Sequence, residues 1–320
     1  RSRNECEKVG NGRVYLDFLL KIYNEVSQRG FKMQFWGDII MAYPELVHEL
    51  PKDVIALEWG YEADHPFEEH GEKFAQAGLT FYVCPGTSTW NSIAGRTDNC
   101  LMNLTNAAQN GIKFGADGCL ITDWGDNGHW QTLPISYVGF AAGAAFTWCF
   151  ESNQEMDARE VINRYAFNDP TGNMGDLAYE MGNIYQEVGN ALPNSSALFY
   201  ILQKPIRESK NYLDPETGIQ SLSRTLEKVD RLANFLGVSN SLRADQELLK
   251  REFNLTMALL RHACKRGILG FGSSKYSKSV LSTELEGIMA DYQQIWLSRN
   301  RPGGLQDSLS YFEITKNDYH

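Results

Sequence analysis

Four times between Phe31 and Thr122, a short run of strand formers gives way to aromatic and acidic residues and then to a helical pattern. The runs cover 31–35, 54–57, 79–83 and 119–122. They lead into Trp36-Gly37-Asp38, Glu58-Trp59-Gly60-Tyr61-Glu62, Pro85-Gly86-Thr87-Ser88-Thr89-Trp90 and Asp123-Trp124-Gly125-Asp126. Helical periodicity follows over 44–50, 67–77, 98–110 and 134–148, and Pro66 and Gly78 punctuate the second of these helices. Strand then helix, repeated in one sense, predicts parallel βα units. A doubly wound open sheet advertises a glycine-rich phosphate loop, and no G-x-G-x-x-G or P-loop occurs here. A (β/α)8 barrel instead draws its site from the C-terminal ends of many strands, which is where these aromatic and acidic residues fall.

The expectation is therefore an α/β fold, the C-terminal half of a (β/α)8 TIM barrel over residues 1–150, followed by an α-helical domain over 151–320. Helices are expected at 4–28 and, in the second region, at 156–167, 175–189, 221–236, 242–265 and 283–300. Ser2-Arg3-Asn4-Glu5 reads as a capping box opening the first helix. Four units make half a barrel and leave two strand edges without neighbours, so further strands are expected upstream.

Charge narrows the partners. A formal net charge of -10 disfavours nucleic acid. The longest weakly polar run, 138–150, is short for a membrane span. The six cysteines form no C-x-x-C pair, no His/Asp/Glu spacing suggests a metal, and no cofactor is expected. Sequons at Asn103, Asn194 and Asn254 are near chance frequency.

The densest chemistry lies in DGCLITDWGDNGHW, residues 117–130. Indole rings offer an apolar face for a sugar ring, and carboxylates accept hydrogen bonds from its hydroxyls. Together, MQFWGDII, ALEWGYEADHPFEEH, FYVCPGTSTWNS and LITDWGDNGHW resemble the C-terminal half of a glycoside hydrolase family 20 β-N-acetylhexosaminidase, with a weaker likeness at WLSRNRPGGL. That resemblance implies a retaining, substrate-assisted mechanism in which the 2-acetamido oxygen attacks the anomeric carbon. By the same resemblance, Tyr82 positions the acetamido group. Trp59, Trp90 and Trp124 wall the sugar, and Asp126 binds its distal hydroxyls. Trp36, Asp38 and Glu62 also fall at strand ends and are expected to reach substrate, Asp38 doubling as a possible helix cap. Glu62 and its neighbour Asp64 would meet outer substrate, and His129 would support the site through hydrogen bonds.

The family's adjacent Asp-Glu pair follows no strand in this chain and is expected upstream of Arg1. The chain is thus expected to be the substrate-binding half of an exo-acting glycosidase, inactive by itself, with a terminal β-linked N-acetylhexosaminide as its carbohydrate partner. One alternative is a non-catalytic carbohydrate-binding or interaction protein. Another is a barrel glycosidase with two enzymic carboxylates.

Overall fold

A computed structural model describes residues 3–189 and 191–320. Ser2, where the expected capping box begins, lies outside the described residues. The chain divides into two compact units. The first comprises Arg1–Gly86, Met102–Thr122 and Ala145–Gln154, and the second comprises Thr87–Leu101, Asp123–Ala144 and Glu155–His320. The change of unit at Glu155 lies near the expected border at 150, while two upstream segments group with the helical unit.

The first unit is built on a parallel sheet whose strands, β1 (Gln34–Trp36), β2 (Ile55–Trp59), β3 (Thr80–Cys84) and β4 (Gly118–Cys119), lie side by side in chain order. Its helices are α1 (Arg3–Val9), α2 (Asn11–Gln28), α3 (Asp38–Met41) and α4 (Phe67–Gln76). They are joined by parts of α5 (Thr97–Phe114) and α6 (Tyr137–Asn153). Phe35, Ala56, Phe81 and Val83 on one sheet face pack with Leu16, Leu19, Phe67, Phe74 and Ala107 from the helices. Both sheet faces carry apolar residues, which is why these strands read as apolar runs instead of alternating ones.

Two expectations are corrected in this unit. The helix expected over 4–28 is two, because Gly10 adopts φ 85 between α1 and α2. That left-handed backbone suits glycine and ends the first helix. The fourth strand is also shorter than 119–122, although Leu120 and Thr122 still donate their N–H groups to the carbonyls of Val83 and Pro85. Pro85 has no N–H to return, so the ladder thins to a single bridge between Gly86 and Thr122. Leu120 is 40% exposed where a buried strand was expected, since β4 is an outer strand of this sheet.

The second unit adds α7 (Ala158–Val161), α8 (Asn173–Gly182), α9 (Ala197–Gln203), α10 (Gly218–Val238), α11 (Gln246–Gly270), α12 (Lys278–Arg299) and α13 (Leu305–Asn317). A small antiparallel pair, β5 (Ala191–Leu192) and β6 (Ser195–Ser196), precedes α9. Helix α11 is flanked by α9, α10 and α12, and its Leu249, Phe253, Leu260, Ala263 and Ile268 lie in the core. The helix expected at 156–167 is α7 continued by a π-helical turn, Ile162–Phe167. Helices α9 and α13 lie outside the expected set. Leu133–Asn153, a 3-10 turn running into α6, makes 21 helical residues, long and apolar enough to cross a membrane by length and composition. The 138–150 run was therefore underestimated, although half of the most apolar window of Leu133–Asn153 is buried within the protein.

Candidate functional site

Register decides which strand-end residues share a face. Trp36 pairs with Leu57, Leu57 with Tyr82, and Tyr82 with Gly118, so these residues form one cross-strand row. Trp59 lies two residues beyond Leu57 and therefore projects to the same side. Trp36, Trp59 and Tyr82 thus share the sheet face opposite the one packed by the helices, at the strands' C-terminal ends. Trp36 is 38% exposed, while Trp59 and Tyr82 are half-buried against Ile55, Leu57 and Cys84. The Tyr82 ring lies over the bare Cα of Gly118, where a Cβ would stand 2.8 Å from Cζ. Trp59 stacks on Tyr61 with ring centroids 5.1 Å apart.

Asp38 is exposed and opens α3, whose cap is Gly37, so its capping role falls away. Glu62 is half-buried in the turn after β2. Asn103 of α5 holds that turn, donating from Nδ2 to the carbonyls of Gly60 (2.9 Å) and Glu62 (2.8 Å). Its Oδ1 accepts from the Gly86 N–H at 3.1 Å, so one amide secures the segments after β2 and β3. Asn106 adds bonds from Nδ2 to the carbonyls of Ala63 and His65.

Glu58, an acid in a strand otherwise apolar, faces the helix side and is 2% exposed. Its Oε1 meets His65 Nε2 at 2.8 Å and His70 Nδ1 at 2.6 Å. Burial raises the Glu58 pKa, but the two histidine hydrogen bonds outweigh it and hold the carboxyl below its usual value. Sequence reasoning singled out Glu62 and Asp64 and passed over this trio. The available signal was an ionisable residue inside a buried parallel strand.

In the second unit, Trp124 is 38% exposed and Asp126 is exposed. Trp90 is 1% exposed, so in this structure it supports its loop from within and offers no face for stacking. That loop is strained, with Ser88, Asn91 and Ile93 at φ 56, 55 and 72, a conformation costly for β-branched Ile93. Hydrogen bonds hold it: Ser196 donates its N–H to the Asn91 carbonyl and its Oγ to the Ser92 carbonyl. Asp123, absent from the expected site, accepts at Oδ1 from Thr87 Oγ1 (2.6 Å) and Thr89 Oγ1 (2.8 Å).

The helices clamp the 123–130 segment. Tyr292 Oη donates toward the carbonyls of Gly128 and His129, Trp130 Nε1 to the Ser308 carbonyl, and Gln203 Nε2 to the Asn127 carbonyl. His129 sits edge-on to Trp296 at 5.8 Å, its buried Nδ1 has no partner, and burial lowers its pKa. It lines a cavity of about 90 Å3 with Asp123, Gln131, Trp296 and Arg299. No protein-family model matches this chain, and no curated protein matches it.

Proposed function

We propose that this chain carries the sugar-recognition part of an exo-acting, retaining β-N-acetylhexosaminidase of glycoside hydrolase family 20, on the C-terminal half of a (β/α)8 barrel. The observation that carries this reading is the shared face of Trp36, Trp59 and Tyr82 at the ends of adjacent parallel strands. Indole beside a phenol at such a position suits a sugar ring and its acetamido arm: the rings cover C–H faces, and the Tyr82 hydroxyl reaches the amide. Attack by the substrate's own acetamido oxygen is intramolecular, and holding that oxygen against the anomeric carbon supplies the orientation for a near-attack geometry. Trp124 and Asp126, exposed in the second unit, are aromatic and acidic groups of the kind that sugar rings and hydroxyls take.

Leaving-group protonation needs a general acid, worth about 10² to 10⁴-fold. No Asp-Glu dipeptide occurs in the 320 residues. The second reading is a carbohydrate-binding protein without hydrolysis. Both readings predict ligand binding, and the first test is therefore binding. Titration with N-acetylglucosamine, N-acetylgalactosamine and glucose, followed by NMR, is expected to show saturable binding of the acetamido sugars and a clear disadvantage for glucose. Tyr82→Phe is expected to weaken N-acetylhexosamine binding about 5- to 10-fold, the value of one neutral hydrogen bond. Glucose binding as tightly as the acetamido sugars, or a Tyr82→Phe variant binding like wild type, would overturn the assignment. Turnover is the second test: the chain alone is expected to leave an aryl β-N-acetylglucosaminide intact. Efficient release of the aryl group would place the acid among this chain's own carboxylates.

A further inference from the structure

We propose that Glu58, His65 and His70 bind one divalent transition-metal ion of the zinc class, which ties residues 60–66 to the end of β2. The three ligand atoms, one from each side chain, lie within 4.8 Å of one another. Two imidazoles and one carboxylate match the donor set of zinc sites that leave one position to water, and imidazole disfavours calcium or magnesium.

The trio sits on well-held elements. Glu58 belongs to β2, and His70 lies in α4 and donates its backbone N–H to the Pro66 carbonyl. His65 has its carbonyl bonded by Asn106 and its ring edge-on to Phe67 at 4.5 Å. Gly60 makes room for that ring, because a Cβ there would lie 2.0 Å from His65 Nδ1. An open depression beside His65 is lined by Asp64, Glu68, Glu69 and Glu72, with Lys73 and Lys113 paired to Glu69 and Glu68. Four carboxylates against two ammonium groups leave its electrostatics favourable to a cation.

Without an ion, each imidazole shares a proton with Glu58 Oε1. Ion binding requires both rings to present a lone pair there, each moving its proton to the other ring nitrogen. Ligand atoms about 2.0–2.1 Å from a tetrahedral ion stand about 3.3 Å apart, so the trio must open by roughly half an ångström.

The test is calorimetric titration of the chain with Zn²⁺, paired with Co²⁺ absorption spectroscopy. One ion per chain is expected, with a raised Tm and a Co²⁺ spectrum free of thiolate charge-transfer bands, which separates this site from the chain's cysteines. Loss of an outer-shell partner costs 10- to 100-fold in metal affinity, so His70→Gln, a loss of a ligand, is expected to weaken binding at least about 100-fold. No stoichiometric binding, undiminished affinity in His70→Gln, or a thiolate band would each overturn the proposal. Should His70→Gln fail to fold, X-ray absorption of the zinc-loaded wild-type chain decides: two imidazoles and oxygen support the site, and a sulfur shell refutes it.

Discussion

At the scale of single residues, the most consequential side chain lies outside the expected site. Asn103 is 0% exposed, and its amide bonds the backbone of Gly60, Glu62 and Gly86. Asn103→Ala would remove all three of these bonds in a dry setting, at about 1 kcal/mol each, while the Glu62 carbonyl keeps the His65 N–H. We expect a total loss of about 3 kcal/mol in urea unfolding, with the far-UV spectrum retained. In sequence Asn103 is visible as a glycosylation sequon, but complete burial keeps its amide from accepting a glycan in the folded chain. Glu58 teaches the same lesson. Strand periodicity places it opposite Trp59, but the partners that make it more than a buried charge come from seven and twelve residues downstream.

At the scale of elements, two glycines show one substitution acting by two mechanisms. Gly10 has φ 85 and no neighbour that a Cβ would meet, so Gly10→Ala strains only the backbone, by about 1–2 kcal/mol. Gly60 sits where a Cβ would strike the His65 ring. Gly60→Ala should cost about 1–3 kcal/mol through overpacking and push His65 away from Glu58. Denaturant unfolding measures both losses, and the His65 NMR resonances should move only in Gly60→Ala. The βα alternation was legible because each strand is a short apolar run closed by a turn signal, as Gly78 closes the helix before β3 with φ 60. Helix α13 was missed because Pro302-Gly303-Gly304 just before it reads as a loop, although Leu305 and Phe312 are buried along it.

Across the whole molecule, acid stability rests partly on Asp245, bonded by Arg243 Nε at 2.8 Å and Arg299 Nη1 at 2.8 Å. The hydrogen bond from Arg243, chiefly, holds its carboxyl down to about 2. A folded pKa below the unfolded value contributes stability above about pH 4, and that contribution is lost as pH falls toward 2. Glu252, on the same Arg299, is shifted the other way by burial, so total stability does not isolate the Asp245 contribution. The wild-type advantage in Tm over Asp245→Asn should therefore be full at pH 7 and shrink between pH 4 and pH 2. An advantage constant across that window would refute the linkage.

The sequence by itself determined the order of the four strands, their alternation with helices, their parallel pairing and the positions of aromatic residues at strand ends. All of these follow from local composition and from two short periodicities. The tertiary structure decided what those residues face. Register put Trp36 and Tyr82 in one row, and burial turned Trp90 inward. Contacts spanning 43 to 178 residues brought Asn103 to the loops and Tyr292 and Ser308 to the 123–130 segment. Such contacts depend on where distant segments meet in space, and no local pattern of residues encodes that meeting.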